Sequence, residues 1–153
     1  MIFTTKAEYG VRLLIQLGLQ GGGQPVSLKA VADAEYLPLA YLERIAALLK
    51  KAELVRATRG AHGGYLLARP AEEITMDAVV LALEGAIAPM DCFLDDSHAR
   101  VQCSHIADGE HCATKLMWTR VQMGVIKSLQ RTTLAELVEF ASPKEPVHLE
   151  IHG

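Results

Sequence analysis

Residues 54–70 read LVRATRGAHGGYLLARP, and the fold turns on how they are read. Leu54-Val55 and Tyr65-Leu66-Leu67 are short β-type runs, separated by a turn rich in glycine and arginine. The pattern predicts a hairpin whose second strand ends at Pro70, because proline cannot donate to a sheet ladder. Just upstream, SLKAVADAE opens at Ser27, a good N-cap, and carries Leu28, Val31 and Ala32 at helical spacing. Tyr36-Leu37-Pro38 breaks that helix. Pro38 suits the first turn of another, with Leu39, Leu42, Ile45, Leu48 and Leu49 expected in the core. Two short helices with a tight connection, the second amphipathic and basic toward its end, make a helix-turn-helix pattern. A hairpin directly after it predicts a winged helix.

The rest of the chain extends this mostly α architecture with its small β wing. TKAEYGVRLLIQLGLQ, residues 5–20, spaces Tyr9, Leu13, Ile15 or Gln16, and Leu17 as a first helix, stopped by Gly21-Gly22-Gly23. TMDAVVLALEG predicts a fourth helix capped by Thr75, with Asp77 in its first turn. After Cys112 a long helix runs to about Arg131, where Trp118, Val121, Val125 and Leu129 recur three or four residues apart. A helix this apolar, outside the winged domain, is expected to bury itself against a second copy. Thr133 and Glu136 form a capping box for a last helix. The expected division is a winged helix-turn-helix DNA-binding domain at 1–85, a cysteine-bearing loop at 86–112, the dimerisation and terminal helices at 113–141, and a loose tail at 142–153.

The 153 residues, half of them hydrophobic, suffice for one core without disulfide staples. No signal-peptide pattern and no long apolar run is evident, so a cytoplasmic protein with no membrane partner is expected. Three cysteines are an odd number, which argues against a closed disulfide framework. The net charge of −3 conceals an asymmetry. Between Ser27 and Arg69, seven basic residues outnumber four acidic ones; between Pro70 and Cys112, nine acidic residues face Arg100 alone. A basic block suits phosphate, and an acidic one faces away from it.

Within the basic block, Lys29 and the first turns of the third helix, Ala40, Tyr41, Glu43 and Arg44, are candidates to meet double-stranded DNA. Arg44 suits guanine, and Glu43 suits a cytosine amino group. In the wing, Arg59 and His62 stand among Gly60, Gly63 and Gly64, which permit positive φ and close backbone approach. A cation at such a tip suits a phosphate or the narrow minor groove.

Residues 91–112, DCFLDDSHARVQCSHIADGEHC, gather every cysteine of the chain together with His98, His105 and His111. Thiolates among so many carboxylates are disfavoured unless a cation intervenes, and a bound metal supplies one. The cysteine spacings, ten and eight intervening residues, are unlike the paired knuckles of structural zinc. Iron–sulfur clusters accept such spacing. Cysteines that are merely buried or redox-active remain an alternative reading.

TTKAEYGVRLL, LPLAYLERIAALLKKAELVRATRGAHGGYLLARPAEEITMDAV and CATKLMW with TLAELV together resemble the IscR and NsrR group of bacterial iron–sulfur winged-helix regulators. The likeness covers nearly the whole chain. It implies a homodimeric transcriptional regulator, a repressor in the first instance, acting on a pseudo-palindromic operator. It also implies an iron–sulfur cluster on Cys92, Cys103 and Cys112 that senses iron or cluster supply, redox state or nitric oxide. Tyr41, Glu43 and Arg59 match residues on the group's DNA-facing side. Two departures matter. Lys115 stands where the IscR type has a ligating histidine, and the cysteine spacing is wider. The NsrR type takes a carboxylate from the partner's first helix, and Glu8 stands at that point, with His105 and His111 as rivals. Without the histidine, the resemblance favours 4Fe–4S over 2Fe–2S.

Two other readings stay open: a cluster-free thiol switch pairing Cys103 with Cys112, and an iron–sulfur carrier on a winged-helix scaffold. With no Ser–His–Asp set and no phosphate-binding loop, neither an enzyme nor a small-molecule substrate is expected.

Overall fold

α1 (Thr5–Gly21) occupies the middle of the fold, with Leu13, Leu14 and Leu17 buried and with α3, α4 and α6 packed around it. The computed structural model describes residues 3–93, 103–105 and 111–143. His98, the carboxylates Asp95, Asp96, Asp108 and Glu110, and the tail beyond Pro143 lie outside the described residues. Thr4 caps α1 by accepting from the Lys6 N–H at 3.2 Å, and Gly22 ends it in the left-handed region.

α2 (Leu28–Glu35) starts as its sequence suggests, the Ser27 hydroxyl accepting from the Ala30 N–H at 3.1 Å. Its end is fastened to α1. Arg12 Nε donates to Glu35 at 2.7 Å, Arg12 Nη2 donates to the Glu35 carbonyl at 3.0 Å, and Gln16 donates to the other carboxylate oxygen. α3 (Leu39–Lys51) buries Leu42, Ile45, Ala46 and Leu49. Two expectations are corrected here. Pro38 is the N-cap rather than part of the first turn, and Leu39 is 38% exposed, with Leu48 only half-buried. The physical reason for Leu39 is its position: it is the first residue of α3, and helical side chains lean toward the N-terminus, so no preceding turn covers it although it shares a face with Leu42 and Ala46.

Between α2 and α3, Tyr36 has φ 54° and ψ 44° and is 95% exposed. A side chain in the left-handed region costs roughly 1–2 kcal/mol, and this one recovers nothing by packing. Tyr36→Gly is therefore expected to raise stability by roughly 0.5–1 kcal/mol, the relief less the added unfolded-state entropy of glycine, measured by denaturant unfolding.

β1 (Val55–Thr58) and β2 (Gly64–Leu67) form the antiparallel wing, with Val55 opposite Leu67 and Thr58 opposite Gly64. Leu54 lies outside β1 but is buried, and β2 stops three residues before Pro70. Val26 adds a bridge on the other side of β2: its N–H donates to the Tyr65 carbonyl at 2.9 Å, and the Tyr65 N–H donates back at 2.8 Å. The wing is thus tied to the segment that starts α2. After a 3-10 turn (Ala71–Glu73), α4 (Met76–Glu84) buries Met76, Val79, Val80 and Leu83. Thr75 holds the N-cap position, but its side chain makes no capping hydrogen bond, contrary to expectation. Its backbone pairs with Thr133 instead, the Met76 N–H donating to the Thr132 carbonyl and the Leu134 N–H to the Ile74 carbonyl.

α5 (Ala113–Arg131) runs beside α4, pinned where Gln122 Nε2 donates to the Ile87 carbonyl at 2.6 Å. α6 (Leu134–Ala141) is capped by Thr133, which accepts from the Glu136 N–H at 3.3 Å. It returns to α1 and adds the fully buried Leu134 to the core. The architecture is a winged helix with a long helix appended. Among the described residues no helix is long and apolar enough to cross a membrane.

Candidate nucleic-acid interface and cysteine segment

Most of the predicted DNA-facing residues on α3 and in the wing are accessible to solvent. Ala40, Glu43, Arg44, Ala47, Lys50 and Lys51 are all exposed along α3, and so are Arg56, Arg59, Gly60 and His62 in the wing. Tyr41 differs from its neighbours. It is half-buried, its ring meeting Tyr9 of α1 edge-on, with centroids 5.6 Å apart and planes at 90°. Such aromatic pairs add about 0.5–1.5 kcal/mol beyond their burial, so Tyr41 helps fix the angle of α3 on α1. Lys29 is exposed and pairs with Asp33 at 2.9 Å, a surface contact too weak to withhold it from phosphate.

The wing glycines do two jobs. Gly60 takes a φ of +115°, which side chains avoid. Gly63 and Gly64 serve the protein's own backbone, since a Cβ would come within 2.3 Å of the Thr58 carbonyl oxygen at Gly63 and 2.4 Å of the Val26 oxygen at Gly64.

The cysteines lie in the connection between α4 and α5. All three are free; Cys92 sits on a 3-10 turn (Asp91–Phe93), Cys103 is exposed, and Cys112 is the N-cap residue of α5. Cys103 Sγ accepts from the His105 N–H at 3.4 Å. Cys112 Sγ lies 3.2 Å from Thr114 Oγ1. That hydroxyl, followed by the Lys115 N–H, holds the Cys112 thiol below its ordinary range, with the Thr114 N–H and the nearby His105 helping and burial working against them. Three accessible thiols, one already biased toward thiolate, are the donor chemistry that iron favours. Among the described residues, however, no three His, Cys, Asp or Glu side chains converge closely enough to hold a metal ion. Glu8 lies exposed in the first turn of α1, and His111 is also exposed.

Sequence reasoning missed Glu84. The last residue of α4, it accepts from the Thr4 N–H at 3.0 Å, the Thr4 hydroxyl and the Ala7 N–H at 3.2 Å, with Lys6 3.9 Å away. It thereby joins the N-terminus of α1 to the point where the cysteine segment begins. A carboxylate at the C-terminal end of its own helix is unfavourable locally, which is the signal that a partner elsewhere requires it. Burial opposes its ionisation, but the bonds from Thr4 and Ala7 and the charge of Lys6 prevail and lower its pKa below the ordinary 4.5. Because the folded value is depressed, the stabilisation is complete above the unfolded value and fades as pH falls through the folded one. Glu84→Ala is expected to lose about 1–2 kcal/mol near neutrality, by analogy with lost caps. The gap should narrow in denaturant titrations as pH falls below the ordinary glutamate value and through the depressed one.

The family model described as Rrf2, iron-dependent transcriptional regulator, matches residues 3–140. The chain belongs to the Rrf2 family. It is 36% identical over 155 residues to protein rrf2 of Nitratidesulfovibrio vulgaris, covering 100% of this chain and 99% of that one. Among solved structures it resembles CymR, the global cysteine regulator of B. subtilis, with a TM-score of 0.75 and 32% identity over 93% of this chain and 99% of that one. It likewise resembles T. potens IscR, with a TM-score of 0.71 and 32% identity over 93% and 89%. Rrf2 proteins of these names are transcriptional regulators rather than enzymes, and this chain, as a member of the family, is a DNA-binding transcriptional regulator.

Proposed function

We propose that this Rrf2 protein is a cytoplasmic, homodimeric repressor whose operator affinity is set by an iron–sulfur cluster. Cys92, Cys103 and Cys112 would hold the cluster, with Glu8 of the partner's α1 as fourth ligand and His105 or His111 as rivals. The observation that carries this reading is the placement of every cysteine in the connection between the DNA-reading half and α5. When bound, the cluster supplies a centre sensitive to iron supply, redox state or nitric oxide, with 4Fe–4S favoured over 2Fe–2S.

The chain's own residues supply the coupling. Leu116, Met117, Val121 and Met123 leave apolar surface of α5 exposed for a second copy, while Trp118 and Val125 are half-buried and Leu129 packs on its own core. Two copies present two α3 helices to a pseudo-palindromic operator, whose half-sites lie about 34 Å apart or a multiple of it. Glu84 joins the cysteine segment to α1, and Tyr9 joins α1 to Tyr41 on α3. Restraint or release of the three thiols therefore changes the α3 angle through two contacts.

The test is purification without oxygen, followed by visible absorption, the iron-to-sulfide ratio, and operator affinity before and after the iron is stripped. A brown protein whose affinity changes at least tenfold on stripping supports the reading. A colourless protein that also fails reconstitution overturns it. Unchanged iron retention and DNA affinity in Glu8→Ala removes Glu8 from the ligand set.

The depressed Cys112 pKa favours a second reading, a thiol switch between Cys103 and Cys112. It predicts iron-free protein whose DNA binding depends on reductant, a dependence that Cys112→Ser abolishes.

A further inference from the structure

The outward face of α3 is chemically ordered along its length. Leu39 and Ala40 come first, Glu43 and Arg44 one turn later, and Lys50 and Lys51 close the helix, all of them exposed. A single exposed leucine needs no explanation. This one is distinguished by its place. It opens the helix that faces base pairs, on the row of Glu43, with Ala40 beside it and the exposed ring of Pro38 before it. No charged side chain belongs to that tip. In the major groove the one apolar group that a base pair displays is the C5-methyl of thymine.

We propose that Leu39 and Ala40 form an apolar tip that reads thymine methyl groups in each half-site, next to the base pair addressed by Glu43 and Arg44. The inference rests on the DNA-reading role of α3 and deepens it to a base preference. The geometry supports the division of labour. The lysines at the far end of α3 meet phosphate at long reach, whereas the short, uncharged residues at its start allow the helix backbone to approach the bases closely.

The test begins with a random-sequence duplex pool from which the full-length protein selects its preferred site. Each thymine of the selected half-sites is then replaced by uracil, which deletes only the methyl group. Wild-type binding is expected to weaken about fourfold for each methyl read, by the usual worth of one buried carbon. Leu39→Ala and Ala40→Gly together should bind the thymine and uracil duplexes alike. Arg59→Ala should lose affinity for both while keeping the discrimination, since a phosphate or minor-groove contact is indifferent to that methyl. Equal wild-type affinity for thymine and uracil at every position overturns the inference but leaves DNA binding in place. So does a selected half-site without thymine, or discrimination that survives both tip substitutions. Failure to enrich any sequence overturns the DNA-binding role of α3 as well.

Discussion

Gly64→Ala is expected to lower stability by about 3 kcal/mol and to weaken operator binding by unseating the wing. The added methyl would sit 2.4 Å from the Val26 oxygen, 2.6 Å from its carbonyl carbon and 3.0 Å from the Ser27 nitrogen. All three atoms are backbone, so no rotamer can relieve the clash. Either β2 withdraws and loses the paired hydrogen bonds between Val26 and Tyr65, or Val26 withdraws and displaces the Ser27 cap of α2. Both routes disturb the proposed DNA-binding surface, one at the wing and the other at the helix-turn-helix. Arg59→Ala provides the contrast. Exposed and without a packing role, it should leave the melting temperature within about a degree while lowering affinity tenfold or more. It should also reduce the salt-dependence slope by about 1, because one counterion fewer is released. A Gly64→Ala protein that melts like wild type would show that β2 and Val26 separate without cost.

The contrast between these two residues reflects what a linear sequence can disclose. Periodicity is local, so α1 to α6 and both wing strands were legible from spacing and capping residues, and Arg59 was legible from charge at a glycine-rich tip. Contacts between elements far apart in sequence were not. Val26 precedes a helix and carries no strand signal, yet it completes the wing because the fold brings it beside Tyr65. Thr75 looks like a helix cap, but pairing with Thr133 across 58 residues claims its backbone. Glu84 looks misplaced at a helix end until Thr4 and Ala7 are seen beyond it. Leu39 departs from its hydrophobic pattern for another reason: its phase matches buried Leu42 and Ala46, but as the first residue of α3 it has no preceding turn to cover it. In the cysteine segment the residue types spoke clearly for chemistry. Their spacing carries no helical or strand period that would fix their mutual distances.

Leu134→Ala should destabilise the protein by about 3–4 kcal/mol and lower the melting temperature by roughly 10 °C. Leu134 is fully buried, the one residue of α6 with no accessible surface in the core that α1, α3 and α4 share. Truncation leaves a cavity that cannot collapse easily, because the backbone on either side is already held. The Leu134 N–H donates to the Ile74 carbonyl at 2.8 Å, and Val138 sits against Gly18, where a Cβ would approach it to 2.5 Å. Phe140→Ala, on the same helix but 87% exposed, should change stability by less than about 0.5 kcal/mol in the monomer. The functional consequence follows from where α6 begins. Thr132 and Thr133 join it directly to the end of α5, so the seat of Leu134 fixes one end of α5 while Gln122 fixes its middle on Ile87. If α5 carries the dimer, loosening that end lets the two α3 helices depart from their spacing. Affinity for a full operator should then fall further than affinity for an isolated half-site, which needs only one α3. Equal losses on the two duplexes would mean that α6 stabilises the fold without governing how the two copies are set on DNA.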